Sequence, residues 1–192
     1  MYIGTPQGIG SQGWMTAYWE RQKDIIYIEH DKLDAIHKLA QEIAQVKVTE
    51  AGHRYDNRKE ITRNITGLMG EAAMEQVLGI DIIEWSVGDT IDYAHPDILR
   101  YGVGIKTVQQ GKHHVIARRS WYPQILCTVI SDTQVQVNGL ATPHMLNELQ
   151  DDRYILDPRL RAKGTKTCYT GYDKLIKIRS RKDLEKVLEN LN

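Results

Sequence analysis

The stretch "HPDILRYGVGIKTV", residues 95–108, decides the fold. It reads as a proline-aspartate step, a short strand "DILR", a tight turn at Tyr101-Gly102, and a second strand carrying Lys106. Alternate side chains of a strand share a face, so Gly104 and Lys106 point one way while Ile105 points into the core. The turn folds Asp97 back beside them. A carboxylate and an ammonium placed side by side can hold a metal ion and a phosphate. The plainer alternatives are that Asp97 is a turn residue after a proline and that Lys106 lies on a solvent face.

Working outward, "GLMGEAAMEQVLG" (67–79) lies just upstream. Ile61, Ile65, Leu68, Ala72 and Leu78 recur at helical spacing, which predicts a helix over 58–78 closed by Gly79. Glu71 falls at the border of its apolar face, with Glu75 one turn later on the same side. Both are otherwise the solvated flank of an amphipathic helix. An earlier helix is expected from Asp31 as N-cap through Leu33, Ile36, Leu39, Ile43 and Val46. "DIIYIE" (24–29) precedes it as a short strand. Beyond residue 79 the period becomes strand-like in "IDIIEWSV", "DILR", "VGIKTV", "HHVIARR", "QILCTVIS" and "TQVQVNGLA". Thr142 and Pro143 open a short helix, 151–175 reads as mostly loop, and Ser180 caps a last helix over 181–191.

This order predicts an α+β or mixed α/β fold, with a central mixed sheet flanked by helices and an N-terminal helical extension. The expected organisation is an arm and helix (1–56), a core (57–150), and a basic loop with a C-terminal helix (151–192), all in one compact domain.

The chain has 192 residues and carries 25 basic and 25 acidic residues, so its net charge points to no polyanionic partner. The distribution does. Nine cations face one acid, Asp173, between Arg159 and Lys182, with tyrosines nearby, a composition suited to tracking a phosphate backbone. It is otherwise a solvated loop. Cys127 and Cys168 imply no disulfide framework and a reducing, intracellular setting. No run approaches the roughly 20 apolar residues of a membrane span, and the expected location is the cytoplasm. His113-His114 lacks partners at ligand spacing and reads as a solvated turn.

Glu71 on a helix, Pro96-Asp97, and Lys106 nine residues after the aspartate together resemble the PD-(D/E)XK, restriction endonuclease-like, nuclease superfamily over about residues 67–142. The resemblance implies a restriction endonuclease-like core and a Mg²⁺- or Mn²⁺-dependent endo- or exonuclease acting on DNA, or on RNA. Glu71, Asp97 and Lys106 would be catalytic, and Asp97, Glu71 and the Ile105 carbonyl would hold the metal. Arg118, Arg119, Arg159, Arg161, Lys163 and Lys166 would grip nucleic acid. The tail "RAKGTKTCYTGYDKL" resembles those of small phage-encoded proteins, which implies the cytoplasm of a host cell. The departure is Gly104, where the family carries Asp or Glu. It leaves open a catalytically inactive nucleic-acid-binding or host-factor-binding protein on the same fold. It also suggests that an acid introduced at 104 would raise activity.

Overall fold

The computed structural model describes residues 24–49, 57–87 and 95–191. The expected N-terminal arm (1–20) and the break at 51–56 lie outside the described residues. Four strands form the main sheet: β1 (Ile25–Tyr27), β2 (Gly104–Gln109), β4 (Gln124–Ser131) and β5 (Gln134–Ala141), in the order β1-β5-β4-β2. β2 runs parallel to β4, while β4–β5 and β5–β1 are antiparallel, so the sheet is mixed as expected. Parallel neighbours need a crossover between them. Here it spans 110–123 and contains β3 (Val115–Ala117), which pairs antiparallel with β6 (Lys166–Cys168) in a second sheet.

The helices are α1 (His30–Thr49), α2 (Asn57–Leu78), α3 (Pro143–Glu148), α4 (Pro158–Lys163) and α5 (Arg181–Glu189). α2 is apolar on more than one side, with Leu68, Met69, Ala72, Ala73, Met74 and Leu78 all buried, because it lies between α1 and the sheet. At its middle the backbone comes down directly on β2. A Cβ at Gly70 would lie 1.8 Å from the Thr107 hydroxyl oxygen, so only glycine allows this approach. That contact sets the depth at which Glu71, the next residue, meets the sheet.

The two faces of the sheet feed two cores. Ile105, Ile125, Cys127, Val135 and Val137 pack with α1, α2 and Leu184 of α5. Leu126 and Ala141, on the opposite face, pack with Ile116, Leu146 and Tyr169. The C-terminal segment is tied back by a buried Asp24, whose carboxylate accepts from Lys177 (2.6 Å) and Arg179 (2.8 Å), and by the bridge between Leu140 and Ile176.

Several local expectations are corrected. "IDIIEWSV" (80–87) is no strand: the Glu75 carboxylate takes the Ile82 and Ile83 N–H groups at 2.8 Å each, giving these donors a side-chain partner in place of a ladder. "DILR" shrinks to a single bridge, Ile98 to Val103, around a 3₁₀ turn at Leu99–Tyr101 that Gly102 closes with φ 63°. The supposed loop 151–175 contains α4 and β6. Asp157 caps α4, Pro158 opens it and Gly164 ends it at φ 66°. Thr142 and Ser180 cap α3 and α5 as expected. Both cysteines are free and buried, Cys168 on β6 rather than in a polar loop. Among the described residues no helix is long and apolar enough to cross a membrane.

Candidate functional site

Among the described residues β2 is an edge strand, and an edge strand presents N–H and C=O groups that no neighbouring strand takes. Its inner side is set by the Gly104 N–H, which donates to the Pro123 carbonyl at the entry to β4 (3.0 Å). The Ile105 N–H therefore points to the free edge, where it donates to Asp97 Oδ2 (2.5 Å). A residue's carbonyl leaves a strand on the same side as its N–H, so the Ile105 carbonyl also faces that edge. One aspartate oxygen is occupied, and the carboxylate keeps further lone pairs for a ligand.

Glu71 arrives from the helical side of the same edge. Burial lifts its carboxyl to about 7; the negative charges of Asp97 and Glu75 add to the effect and Lys106 opposes it. Glu71, Asp97 and Lys106 are near enough to influence one another electrostatically. Lys106 shares with Gly104 the face of β2 opposite the one that Ile105 and Thr107 turn toward α2.

Glu75 has a different task. It is buried, it holds the Ile82 and Ile83 N–H groups, and it pairs with Lys32. Burial alone would raise its carboxyl, but the Lys32 ammonium and the two N–H donors outweigh that and bring it below its usual range. The solvated-flank alternative is thereby excluded for Glu75, and so is a free ligand there. Glu75→Ala is expected to destabilise the fold by about 2–4 kcal/mol, because it strands two N–H groups and the Lys32 ammonium. Thermal denaturation checks this. A loss of metal affinity without a loss of stability would place Glu75 in the site instead.

Gly104 is more than a missing acid. A Cβ there would lie 2.8 Å from Tyr122 Cε2, 3.4 Å from Asp97 Oδ2 and 3.5 Å from Gln124 Cγ. A side chain at 104 would project toward Asp97, as its strand position predicts, but the Tyr122 ring already fills the way. The simple expectation that an acid introduced at 104 restores a ligand is therefore corrected: the ring must first move. The Tyr122 hydroxyl is itself raised by burial and by Asp97, and it remains protonated at neutral pH.

The small sheet assembles the basic residues. The Arg118 N–H donates to Thr165 O (3.0 Å), and Ala117 pairs with Lys166, so Arg118 and Arg119 lie beside the 159–166 segment. Within it Arg118 is committed, donating to Gly164 O and pairing with Asp152. Arg161 donates to Ile155 O (2.5 Å). Arg119, Arg159, Lys163 and Lys166 are exposed, and among the described residues none of the four is ion-paired. Further along, Lys174 pairs with Asp173, Arg181 with Glu185, and Lys177 and Arg179 share Asp24. The effective patch is smaller than the sequence tally.

Sequence reasoning gave no account of three further residues. His114 is a buried residue rather than part of a solvated turn: its Nε2–H donates to Cys127 O (2.8 Å), and Tyr172 Oη donates to Nδ1 (3.0 Å). Burial holds it neutral, with its pKa lowered to about 4. Tyr122 and Gln124 gave no sequence signal beyond flanking Pro123 at the entry of a strand. Among the described residues no three His, Cys, Asp or Glu side chains converge to hold a metal ion by themselves. In comparison with known proteins, the chain matches no family model, no curated protein and no solved structure.

Proposed function

We propose that the protein is a metal-dependent nuclease that hydrolyses phosphodiester bonds in DNA, with Glu71, Asp97 and Lys106 as its site on a restriction endonuclease-like core. The observation that carries this is Asp97, held by the Ile105 N–H at the outer side of β2, the strand that bears Lys106, with the Glu71 carboxyl lifted to about 7 by burial and by the Asp97 charge. A strongly shifted acid with a specific charged neighbour is characteristic of functional sites. The donors at the edge are hard oxygens: two carboxylates and the Ile105 carbonyl. That set suits Mg²⁺ or Mn²⁺.

A bound divalent cation would supply Lewis-acid stabilisation of the phosphoryl oxygens and lower the pKa of a bound water. The remaining work falls to the chain. Asp97, fixed through the Ile105 N–H, and Glu71 in its deprotonated form would hold the cation. The Lys106 ammonium would face the phosphate and stabilise charge as a water that gives its proton to solvent bonds to phosphorus, while the bond to the leaving oxygen breaks and that oxygen takes a proton from solvent. Arg119, Arg159, Lys163 and Lys166 hold the flanking backbone. Supercoiled plasmid incubated with Mg²⁺, with Mn²⁺ and with EDTA tests this: cutting is expected with either ion and none with EDTA.

A second reading, a protein of the same fold that binds nucleic acid without cutting it, draws on Gly104 and on the absence of three converging acids among the described residues. It predicts salt-dependent binding with no cleavage in either metal. Both readings share one prediction. Log affinity for duplex DNA should fall linearly with log salt, by about 0.9 per phosphate contact, and changing Arg119, Arg159, Lys163 and Lys166 together to Ala should flatten that slope by up to about 3.6. An unchanged slope would make these four cations a solvated surface only.

A further inference from the structure

We infer that Trp121 is a stacking platform for an unpaired base beside the Asp97 edge, which makes single-stranded DNA the form of nucleic acid this site takes; this deepens the proposed function and rests on it. Trp121 is 83% exposed, although the backbone on both sides of it is fixed. Before it, Ser120 is buried and clamped by the Asn147 side chain of α3, whose Oδ1 accepts from the Ser120 N–H (3.0 Å) and whose Nδ2 donates to the Ser120 carbonyl (3.1 Å). After it, the Pro123 carbonyl accepts from the Gly104 N–H (3.0 Å). The indole is thus held out to solvent on a braced segment.

A single exposed apolar side chain is ordinary on a protein surface. Its neighbours set this one apart. The ring of Tyr122, the next residue, fills the space beside Gly104 on the strand that bears Lys106, and Asp97 Oδ2 lies against the same glycine. Arg119, two residues before Trp121, is exposed and among the described residues is not ion-paired. A cation, an open aromatic face and the site's edge therefore follow one another along 119–122. A basic track for phosphates with aromatic faces for bases is how proteins hold single strands, and because every base has a π-face such a platform reads no sequence. In a duplex the bases stack on one another. The indole can take one only after it has been unpaired and swung out, which costs affinity.

The test is the binding in EDTA of fluorescein-labelled oligo(dT), and of its duplex with oligo(dA), to wild type, Trp121→Phe and Trp121→Ala, read by anisotropy, with tryptophan quenching read on the unlabelled strands. Wild type is expected to bind the single strand about 10-fold more tightly than the duplex and to show quenching, on the scale of one stacked base. Trp121→Phe keeps an aromatic face and is expected to hold the single strand within about 3-fold of wild type while losing most of the quenching. Trp121→Ala is expected to melt with wild type, as an exposed position should, and to weaken the single strand by about 10-fold while leaving the duplex unchanged. Wild-type affinity for oligo(dT) in Trp121→Ala, an equal loss on both forms, or a duplex bound as tightly as the single strand would overturn the inference. The nuclease reading would still stand, since its own readout is plasmid cleavage and the loss of it in Asp97→Asn. Binding of neither form by wild type would overturn both.

Discussion

Glu71→Gln should raise the melting temperature in EDTA at pH 8 and leave it unchanged at pH 4. Burial raises the Glu71 carboxyl from 4.5 to about 7, so between these values the folded chain keeps a proton that the unfolded chain has released. Stability then falls as pH rises through this window, by up to about 1.4 kcal/mol per pH unit. Above it the accumulated cost of ionising Glu71 is on the order of 3 kcal/mol. Glutamine has the same shape and nothing to ionise, so the substitution removes that cost. For a chain of this size the gain corresponds to roughly 6–12 °C. The same substitution should weaken Mn²⁺ binding and abolish its rise with pH through 7, because wild-type Glu71 must release its proton before it can serve as a ligand. A difference in melting temperature that does not vary with pH would mean that Glu71 is ionised throughout and held by partners.

Asp97→Asn and Lys106→Ala should each lower plasmid cleavage by about 10²–10³-fold, the scale on which single electrostatic stabilisers act. The two substitutions should separate in other respects. Asp97→Asn retains an oxygen to accept the Ile105 N–H, so the turn survives while the charge that faces the cation is lost. Lys106→Ala leaves the carboxylates in place and removes only the opposing charge, which should move the Glu71 carboxyl further up and leave Mn²⁺ binding measurable. Robust Mg²⁺-dependent cutting that survives Lys106→Ala would remove this edge from consideration as the active site.

The parts of this site that the sequence made legible are those governed by local rules. Period-two alternation placed Lys106 and Gly104 on one face and Ile105 in the core, and helical spacing placed Leu68, Ala72 and Leu78 on a buried side of α2. Caps at Thr142 and Ser180 followed from residue type alone. What stayed hidden depends on contacts distant in sequence. Nothing in "IDIIEWSV" reveals that Glu75 would satisfy its N–H groups and prevent a strand. No local pattern shows that Gln124, twenty positions beyond Gly104, would sit opposite it, since that register follows from a long crossover. Likewise the basic run overstated the charge available for a partner, because Asp24 lies far in sequence from Lys177 and Arg179, the two cations it pairs with. The helix at 158–163 is legible in the sequence, since Asp157, Pro158 and Gly164 are ordinary start and stop signals.

The most direct measurement of the central claim, a divalent-cation site at the free edge of β2, is the anomalous difference map of a crystal soaked in Mn²⁺ at pH 8. The account predicts one peak bounded by the Glu71 and Asp97 carboxylates and the Ile105 carbonyl. A protein that binds Mn²⁺ with its peak elsewhere, or a map with no peak at this edge, would contradict it.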